Sequence, residues 1–517
     1  MKKQTKIIIG ISIIIVLALL LSNLKKEKQT ENDTFLPGEK HDITELFQAK
    51  ESTIVDLKDG SVFSLNADIV VKEINGKQYK MYGYNGQIPG VALRAKKGST
   101  ITINFRNNID QNTTIHWHGL RHNIKDDGVP GVSQEPIKPG ESYQYNLYFP
   151  DEGIYWYHPH VREDIQQDSG LAGNMIVESL QTDYYSPVNK EELLVLDDIF
   201  IQDNNIIPFG KEHAKFAIMG RFGNVMLVNG ETEYALEVDQ GSVLRFYITT
   251  VANVRPFNIN FGNAKMKLIA GDMSKYEQET FVESVLIAPA ERYILEVYFE
   301  NPGEYPIQHL TPEKTYTLGT VKVKETKKEK DFSTEFNTLR ENKKVREDVA
   351  MFKAYFDNPV DYQIDLTIDM PSMNMDMMHE AEHPQDGIEW EDTMPLMNEM
   401  FDSSTLTWIL KDHTSEQKNM DFKMHAKIGE KIKIRLFNDP KSMHPMQHPI
   451  HLHGQRFLVL SVDGVPTENF VWKDTVLVPV GKTVDILVDV TNPGEWMLHC
   501  HIAEHLESGM MTSLVVE

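Results

Sequence analysis

Short runs of alternating apolar and polar residues, separated by turn residues, occupy most of the chain. Residues 100–105 alternate strictly, and residues 67–74 end at the turn pair Asn75-Gly76. Further strand candidates of similar length occur at 243–248, 294–299, 432–437 and 484–490. Successive side chains of a strand point to opposite faces, so this pattern predicts many short β-strands. Helical periodicity is scarce, and we expect an all-β protein.

The runs fall into three blocks of similar style, which predict three β-sandwich domains at residues 61–180, 190–325 and 350–517. Residues 25–60 are polar and predict a tether. Residues 326–349 are rich in charge and predict a solvated linker. The third block contains a methionine-rich insertion at 370–400, where eight of the 23 Met fall.

The N-terminal segment, residues 1–24, predicts export. Three lysines precede the apolar run 7–21, and fifteen helical residues span about 22 Å, less than the hydrocarbon core of a membrane. That length suits a signal peptide, and a retained membrane anchor is the alternative, since a small-residue cleavage site does not follow closely. We expect an extracellular or periplasmic protein.

Composition narrows the classes of partner. The net charge of −24 opposes binding of nucleic acid, because phosphate would be repelled. A single cysteine excludes an intrachain disulfide framework. We expect a monomer.

Ten of the 19 histidines lie in four tight clusters. Spacing of i,i+2 on a strand places two imidazoles on one face, where they can bind one metal ion or two adjacent ions. The clusters are His116-Trp117-His118, His158-Pro159-His160, His448-Pro449-Ile450-His451-Leu452-His453, and His499-Cys500-His501 with His505.

The last cluster contains the only cysteine. On a strand, Cys500 points to one face while His499 and His501 point to the other. Cys500, His505 and Met510 supply three parts of a blue-copper site, in which two His and one Cys are joined by a weak axial Met. Zinc is the competing metal, but zinc sites close at four ligands, and the thioether favours copper. Several copper ions are therefore expected.

These motifs, in this order and spacing, resemble those of the three-domain multicopper oxidases, the laccase-like family, over residues 67–517. In style the chain is most similar to bacterial cuprous and copper-resistance oxidases. The resemblance implies three cupredoxin-like Greek-key β-sandwiches, with four copper ions held by the first and third. The implied ligands are His448, Cys500, His505 and Met510 for type 1 copper; His116 and His451 for type 2; and His118, His158, His160, His453, His499 and His501 for the type 3 pair.

The resemblance also implies a reaction. Four one-electron oxidations of substrate are coupled through Cys500 to the reduction of dioxygen to two waters. Asp127 matches a family acid that supplies protons, although an Asp before Gly is also an ordinary turn residue. Many family members place a second acid directly after the last blue-copper His. Leu506 stands there in this chain, and Glu507 follows as the candidate proton donor.

The substrate is the open question. Thioethers are soft ligands that prefer Cu(I), so the insertion predicts metal capture, with a flexible packing surface as the alternative. We expect a Cu(I) oxidase in copper tolerance, with Fe(II) or Mn(II) as further substrates. A laccase that oxidises phenols, with the insertion as a lid, and a copper-binding protein without oxidase activity are the alternatives. The candidate substrate ligands are Met373, Met375, Met377, Met378, Met443 and Met446.

Overall fold

The computed structural model describes residues 33–326, 330–370 and 386–517. Within these ranges the strands form three successive pairs of sheets, and each pair encloses a hydrophobic core. The prediction of an all-β protein with three sandwiches is confirmed. The predicted domain boundaries stay predictions.

The first sandwich carries two of the four histidine clusters. One sheet contains Phe47–Gln48, Val62–Ile74, Lys77–Tyr84, Thr100–Asn107 and Ser142–Tyr148. The other contains Ile54–Asp56, Ala92–Lys96, His116–His118, Gly153–His158 and Gly173–Glu178. The turn between the second and third strands of the first sheet has positive φ at Asn75 and Gly76, as the predicted hairpin requires.

The middle sandwich has a six-stranded and a five-stranded sheet. The larger contains Lys190–Ile199, Val225–Val228, Ser242–Thr250, Lys265–Ala270, Lys275–Val282 and Arg292–Phe299. The smaller contains Tyr234–Asp239, Phe257–Asn260, Val285–Ile287, Gly303–Leu310 and Thr315–Lys324.

The last sandwich repeats this arrangement and carries the other two clusters. Its larger sheet contains Tyr362–Asp369, Thr407–Asp412, Lys431–Asn438, Arg456–Val462, Val465–Pro466 and Thr483–Asp489. Its smaller sheet contains Lys423–Ala426, His448–Leu452, Thr475–Val478, Gly494–Cys500 and Met511–Val516. Leu458 and Trp472 of this sandwich belong to the same buried cluster as the core of the first, so the two sandwiches pack directly together.

The remaining elements are short. Two-stranded sheets pair Thr34–Phe35 with Phe209–Gly210 and Ile201–Gln202 with Asn205–Ile206. The described α-helices are Glu163–Gln166, Ser333–Asn337, Lys343–Ala350, Pro395–Met400 and Ala503–Glu507. Single 3₁₀ turns occur at Ile43–Glu45, Ile124–Asp126, Lys353–Tyr355 and Asn419–Asp421.

Two predicted connecting segments are more ordered than expected. Residues 33–60 of the predicted tether add Phe47–Gln48 and Ile54–Asp56 to the two sheets of the first sandwich. The predicted linker forms the helices Ser333–Asn337 and Lys343–Ala350, which bury Phe336 and Val349. In each segment a few apolar side chains pack against the first core: Leu46 and Val55 from the one, Val345 and Val349 from the other.

Among the described residues, no helix has the length and apolar character needed to cross a membrane. The predicted signal or anchor at 1–24 lies outside the described residues.

Candidate metal centre

Two paired strands of the first sandwich present its histidine clusters. His116–His118 lies antiparallel to Gly153–His158, with His116 opposite His158 and Trp156 opposite His118. His160 follows two residues after the strand ends. All four imidazoles are buried. The i,i+2 spacing therefore places these side chains together, as the sequence predicts.

Three strands of the last sandwich present the other clusters. His448–Leu452 lies between Thr475–Val478 and Gly494–Cys500, and His451 is opposite both His499 and Thr475. His501 lies just beyond its strand, and its backbone N–H donates to the carbonyl of Pro449. The helix Ala503–Glu507 then carries His505 back towards Cys500. This order of strand, bend and helix explains how one short peptide reaches two sites.

Cys500, His448 and His505 form the first of these sites. The Cys500 sulfur lies 3.5 Å from Nδ1 of His448 and 3.7 Å from Nδ1 of His505, and the two nitrogens are 3.3 Å apart. A point equidistant from the three atoms is about 2 Å from each, close to the length of metal–nitrogen and metal–sulfur bonds in proteins. Met510 is buried beside them: its N–H donates to the carbonyl of His505, and its carbonyl accepts from the N–H of Cys500.

The other eight clustered histidines form a second site. His118, His158 and His501 bring one ring nitrogen each within 4.8 Å of one another, and so do His160, His453 and His499. His116 and His451 lie between these triads, and each stacks or meets edge-on with rings of both. Neighbours along the chain separate as the strand alternation predicts, with Cys500 in the first site and His499 and His501 in the second.

The second site fits a metal because most of its inward ring nitrogens are buried without a protein partner, and the other two, Nε2 of His453 and of His499, face each other at 3.0 Å. Among the described residues, Nε2 of His116, His158, His160 and His451 has no hydrogen-bond partner, nor does Nδ1 of His118 or either nitrogen of His501. A buried polar atom without a partner is costly, so this convergence of lone pairs needs an occupant. Imidazole nitrogen suits copper at this second site, as cysteine sulfur with imidazole does at the first.

Burial also prepares these groups to act as ligands. Loss of hydration lowers the pKa of His160 and of His448 to about 3, and it holds the pKa of His118, His158, His499 and His501 well below its ordinary value. These six imidazoles are therefore neutral at physiological pH and keep their lone pairs. Burial raises the pKa of the Cys500 thiol in the metal-free protein, so metal binding must release that proton.

Asp127 contacts two of the ligand candidates. Nδ1 of His453 donates to its carboxylate at 3.0 Å, and Nδ1 of His116 donates to its backbone carbonyl at 2.9 Å. Gly128, with φ of +83°, makes the turn: a Cβ there would overlap the carbonyl of Ile115. The predicted acid Asp127 is thus at the site. Because it holds His453 and His116 through Nδ1, Nε2 of both rings faces the other histidines of the site.

Two further acids touch the site and were missed by the sequence analysis. The carboxylate of Asp474 accepts from Nε2 of His118 at 3.1 Å, and its carbonyl accepts from Nδ1 of His451 at 2.9 Å. A carboxylate oxygen of Glu163 lies 3.2 Å from Nδ1 of His160. Glu163 follows His160 by three residues, a proximity that could have indicated it. Asp474 stands in the polar pair Lys473-Asp474 within an apolar stretch, which signals buried charge but not its position.

The remaining candidates are dispersed. Leu506 packs with Val129 and Met497 in a small apolar cluster. Glu507, on the same helix, lies near Arg162 and Asp164, and burial raises its pKa. Met446 is fully buried in the same core as Cys500, whereas Met443 is partly exposed. Met373, Met375, Met377 and Met378 lie outside the described residues.

One methionine that the sequence analysis did not single out also approaches the first site. The sulfur of Met219, from the connection between Phe209–Gly210 and Val225–Val228, lies 3.1 Å from Nε2 of His444, and both side chains are buried in or beside the core of the last sandwich. Trp408 links this pair to the site, because its ring packs against the rings of His444, His448 and His505. No local pattern around Met219 indicates this position.

Comparison with known proteins agrees with this geometry. Three family models, each described as multicopper oxidase, match residues 68–182, 181–328 and 390–517. A multicopper oxidase of Staphylococcus epidermidis is 28% identical over 445 residues, covering 84% of this chain and 83% of that protein. Copper resistance protein A of Escherichia coli is 24% identical over 580 residues, covering 89% and 93%.

A solved structure shares the whole architecture. The crystal structure of a multicopper oxidase from Pseudomonas thermotolerans superposes with a TM-score of 0.66 at 25% identity, over 90% of this chain and 100% of that one. The cupredoxin-like character of the sandwiches is thereby confirmed. The chain therefore belongs to the multicopper oxidase family and is a copper-dependent oxidoreductase that couples four one-electron oxidations of a reducing substrate to the reduction of dioxygen to two waters.

Proposed function

We propose that this enzyme oxidises Cu(I) and serves copper tolerance outside the cytoplasm as a monomer. We also propose its ligand set. The type 1 copper is held by His448, Cys500, His505 and Met510, the type 2 copper by His116 and His451, and the type 3 pair by His118, His158, His160, His453, His499 and His501.

The grouping of ring nitrogens supports the division between type 2 and type 3. His118, His158 and His501 form one triad and His160, His453 and His499 another; these two share no residue and use six of the eight imidazoles of the second site. His116 and His451 belong to neither of them; they group with His118, and each presents one unpartnered Nε2. Copper bound at these positions would supply one-electron redox chemistry at the first site and oxygen reduction at the second.

The chain itself supplies the connection between the two sites. The Cys500 thiol and the imidazoles of His499 and His501 belong to consecutive residues, so a covalent path of side chain and backbone joins them. Nδ1 of His499 donates to the carbonyl of Cys500 at 2.8 Å, which shortens this path and orients the ring. Cys500, His499 and His501 are fully buried or nearly so, and water is therefore kept from the path.

Protons for water formation need carboxyl groups beside the second site. Asp127 contacts His453 and is the first of these. Glu507 lies on the helix Ala503–Glu507, which packs against the helix Glu163–Gln166, and Glu163 reaches His160. We extend the proton-donor hypothesis to Glu163 and Glu507. Glu163 would take the role of the acid that many family members have at the position of Leu506, and Glu507 would pass protons to it from the surface.

The contact between Met219 and His444 is the observation that carries the substrate proposal. A thioether and an imidazole suit Cu(I), and this pair lies one tryptophan ring from the His448 and His505 ligand candidates. Met394 and Met397 pack against the same core, and Met400 is exposed at the end of their helix. We propose that these thioethers form a soft-donor route from the surface to the type 1 ligands. Copper resistance protein A, among the relatives, agrees with the proposed role in copper tolerance.

Oxygen uptake with Cu(I), Fe(II) and a phenol, measured side by side, tests the proposal. We expect Met219→Leu to raise KM for Cu(I) about tenfold, equivalent to about 1.4 kcal/mol of binding, and to leave phenol oxidation unchanged. Met266→Leu, a buried change in the middle core, is the matched control. Deleting residues 370–400 should abolish Cu(I) oxidation and keep or raise phenol oxidation.

Equal effects of Met219→Leu on all three substrates, or none on Cu(I), would contradict the assignment of Cu(I). The laccase alternative would then be favoured, since a phenol needs no soft ligand.

A further inference from the structure

Asp474 contacts one ligand candidate from each of the two outer sandwiches. Its carboxylate accepts from Nε2 of His118 in the first sandwich, and its backbone carbonyl accepts from Nδ1 of His451 in the last. Thr475 donates its hydroxyl to the same carboxylate oxygen at 2.8 Å. One buried residue therefore orients two imidazoles that arrive from opposite sides.

The bond to His118 is of a different kind from those at the other imidazoles. His116, His158, His451, His453 and His499 are each held through Nδ1, which leaves Nε2 for a metal. His118 is held through Nε2 by Asp474, and its unpartnered buried atom is Nδ1. The Asp474 carboxylate thus selects which nitrogen of His118 faces the site, since the nitrogen that donates a hydrogen bond cannot also be a ligand.

Arg292 of the middle sandwich holds this carboxylate in place. Its Nη1 and Nη2 donate to the two oxygens of Asp474 at 2.6 and 2.5 Å, and its Nε donates to the carbonyl of Ile154 on a strand of the first sandwich. Arg292 and Asp474 are fully buried. A two-pronged guanidinium–carboxylate bond fixes orientation as well as distance, which a lysine cannot do.

The chain leaves room for this bridge directly beside His118. Gly119 has φ of +87°, and a Cβ there would come within 2.5 Å of a carboxylate oxygen of Asp474 and 2.9 Å of Nη2 of Arg292. A side chain at this position would therefore displace the bridge. All three sandwiches meet at this point.

We infer that the Arg292–Asp474 bridge positions the ligands of the type 2 and type 3 copper ions. The middle sandwich, which supplies Arg292, thereby contributes to the copper site. Among the described residues, the metal-ligand groups come from the first and last sandwiches only. The inference rests on the ligand roles proposed above. Arg292 and Asp474 touch no reacting atom and act through His118 and His451.

Copper binding by full-length variants tests the inference. Arg292→Lys keeps the charge and loses the fork; Arg292→Met with Asp474→Leu removes both charges together and avoids a lone buried carboxylate. Arg245→Met is the control, because Arg245 is also buried in the middle sandwich, pairs with Glu296 and touches no clustered histidine. The measurements are copper per chain, copper affinity by competition with a chelator, blue absorbance, and the electron paramagnetic resonance spectrum of type 2 copper.

Both Arg292 variants should keep the blue absorbance, since the bridge does not contact Cys500, His448 or His505. Their affinity for the remaining copper ions should fall about 10- to 100-fold, with an altered type 2 spectrum. The double variant should be thermally more stable than a variant with a lone buried carboxylate, but its type 2 copper spectrum should stay altered. If the Arg292→Lys protein has the same copper affinity and the same type 2 spectrum as the Arg245→Met control, the inference is overturned. Fewer than four copper ions in the unaltered protein would overturn the proposed ligand set instead.

Discussion

Asp127→Asn is the change whose effect on the site can be worked out most directly. Asparagine keeps the shape of the side chain and one acceptor oxygen, but it removes the charge that faces Nδ1 of His453 at 3.0 Å. A buried hydrogen bond to a charged group contributes about 1.5–3 kcal/mol, and a neutral one about 1 kcal/mol. The difference of about 0.5–2 kcal/mol corresponds to roughly a 2- to 30-fold effect.

Oxygen uptake at saturating substrate and copper per chain together show where that loss falls. If Asp127 orients His453 and His116, copper binding should weaken by this factor. If it supplies protons, copper content should stay at its native value while kcat falls, more steeply as pH rises. Asp126→Asn is the matched control, since the neighbouring Asp126 accepts from the backbone of Asn146 and touches no clustered histidine. Copper content and kcat equal to those of Asp126→Asn would refute both roles.

Three further changes have defined outcomes. Cys500→Ser should abolish the blue absorbance and turnover while circular dichroism shows a folded chain; a blue, active variant would show that the thiol is not a ligand. Gly454→Ala should lower the free energy of unfolding of the copper-free protein by about 2–4 kcal/mol, because its Cβ would overlap the ring of Trp496. Gly464→Ala, also at positive φ but facing open space, should cost only about 1 kcal/mol in the same denaturant titration. Burial raises the pKa of Glu389 to about 7 from 4.5, so the folded protein binds this proton more tightly and should lose stability as pH rises from 4.5 to 7. Glu389→Gln should flatten that part of the melting-temperature profile, and an unchanged profile would contradict the shift.

The clustered ligands could be predicted from sequence because their signal is local. Residues two apart on a strand share a face whatever surrounds them, so His116 and His118, or His499 and His501, had to point together. Cys500, between the latter two, had to point away. The turn at Asn75-Gly76 and the alternation of residues 100–105 were predicted by the same short-range rules.

The supporting residues could not be predicted, because their positions depend on how the sandwiches pack. Met219, Arg292 and Asp474 stand in ordinary strand or loop contexts and gain their roles only when three domains meet. The short strands within residues 33–60 were missed for a related reason: pairing with a sheet that is already folded needs little hydrophobic pattern of its own.

The division of the second site between the first and last sandwiches has a consequence for the order of assembly. Domains generally fold as units during synthesis, the N-terminal one first, and contacts of large sequence separation form late. His116 and His158 must therefore wait for the strands that carry His451 and His499, so the complete copper cradle is among the last features to form. Copper would bind the complete site and neither sandwich alone, so binding would stabilise chains whose sandwiches are correctly docked. Free copper at 100 times its dissociation constant would add about 2.7 kcal/mol per site to the free energy of unfolding. Copper supply would then govern how long the enzyme survives as well as how fast it works.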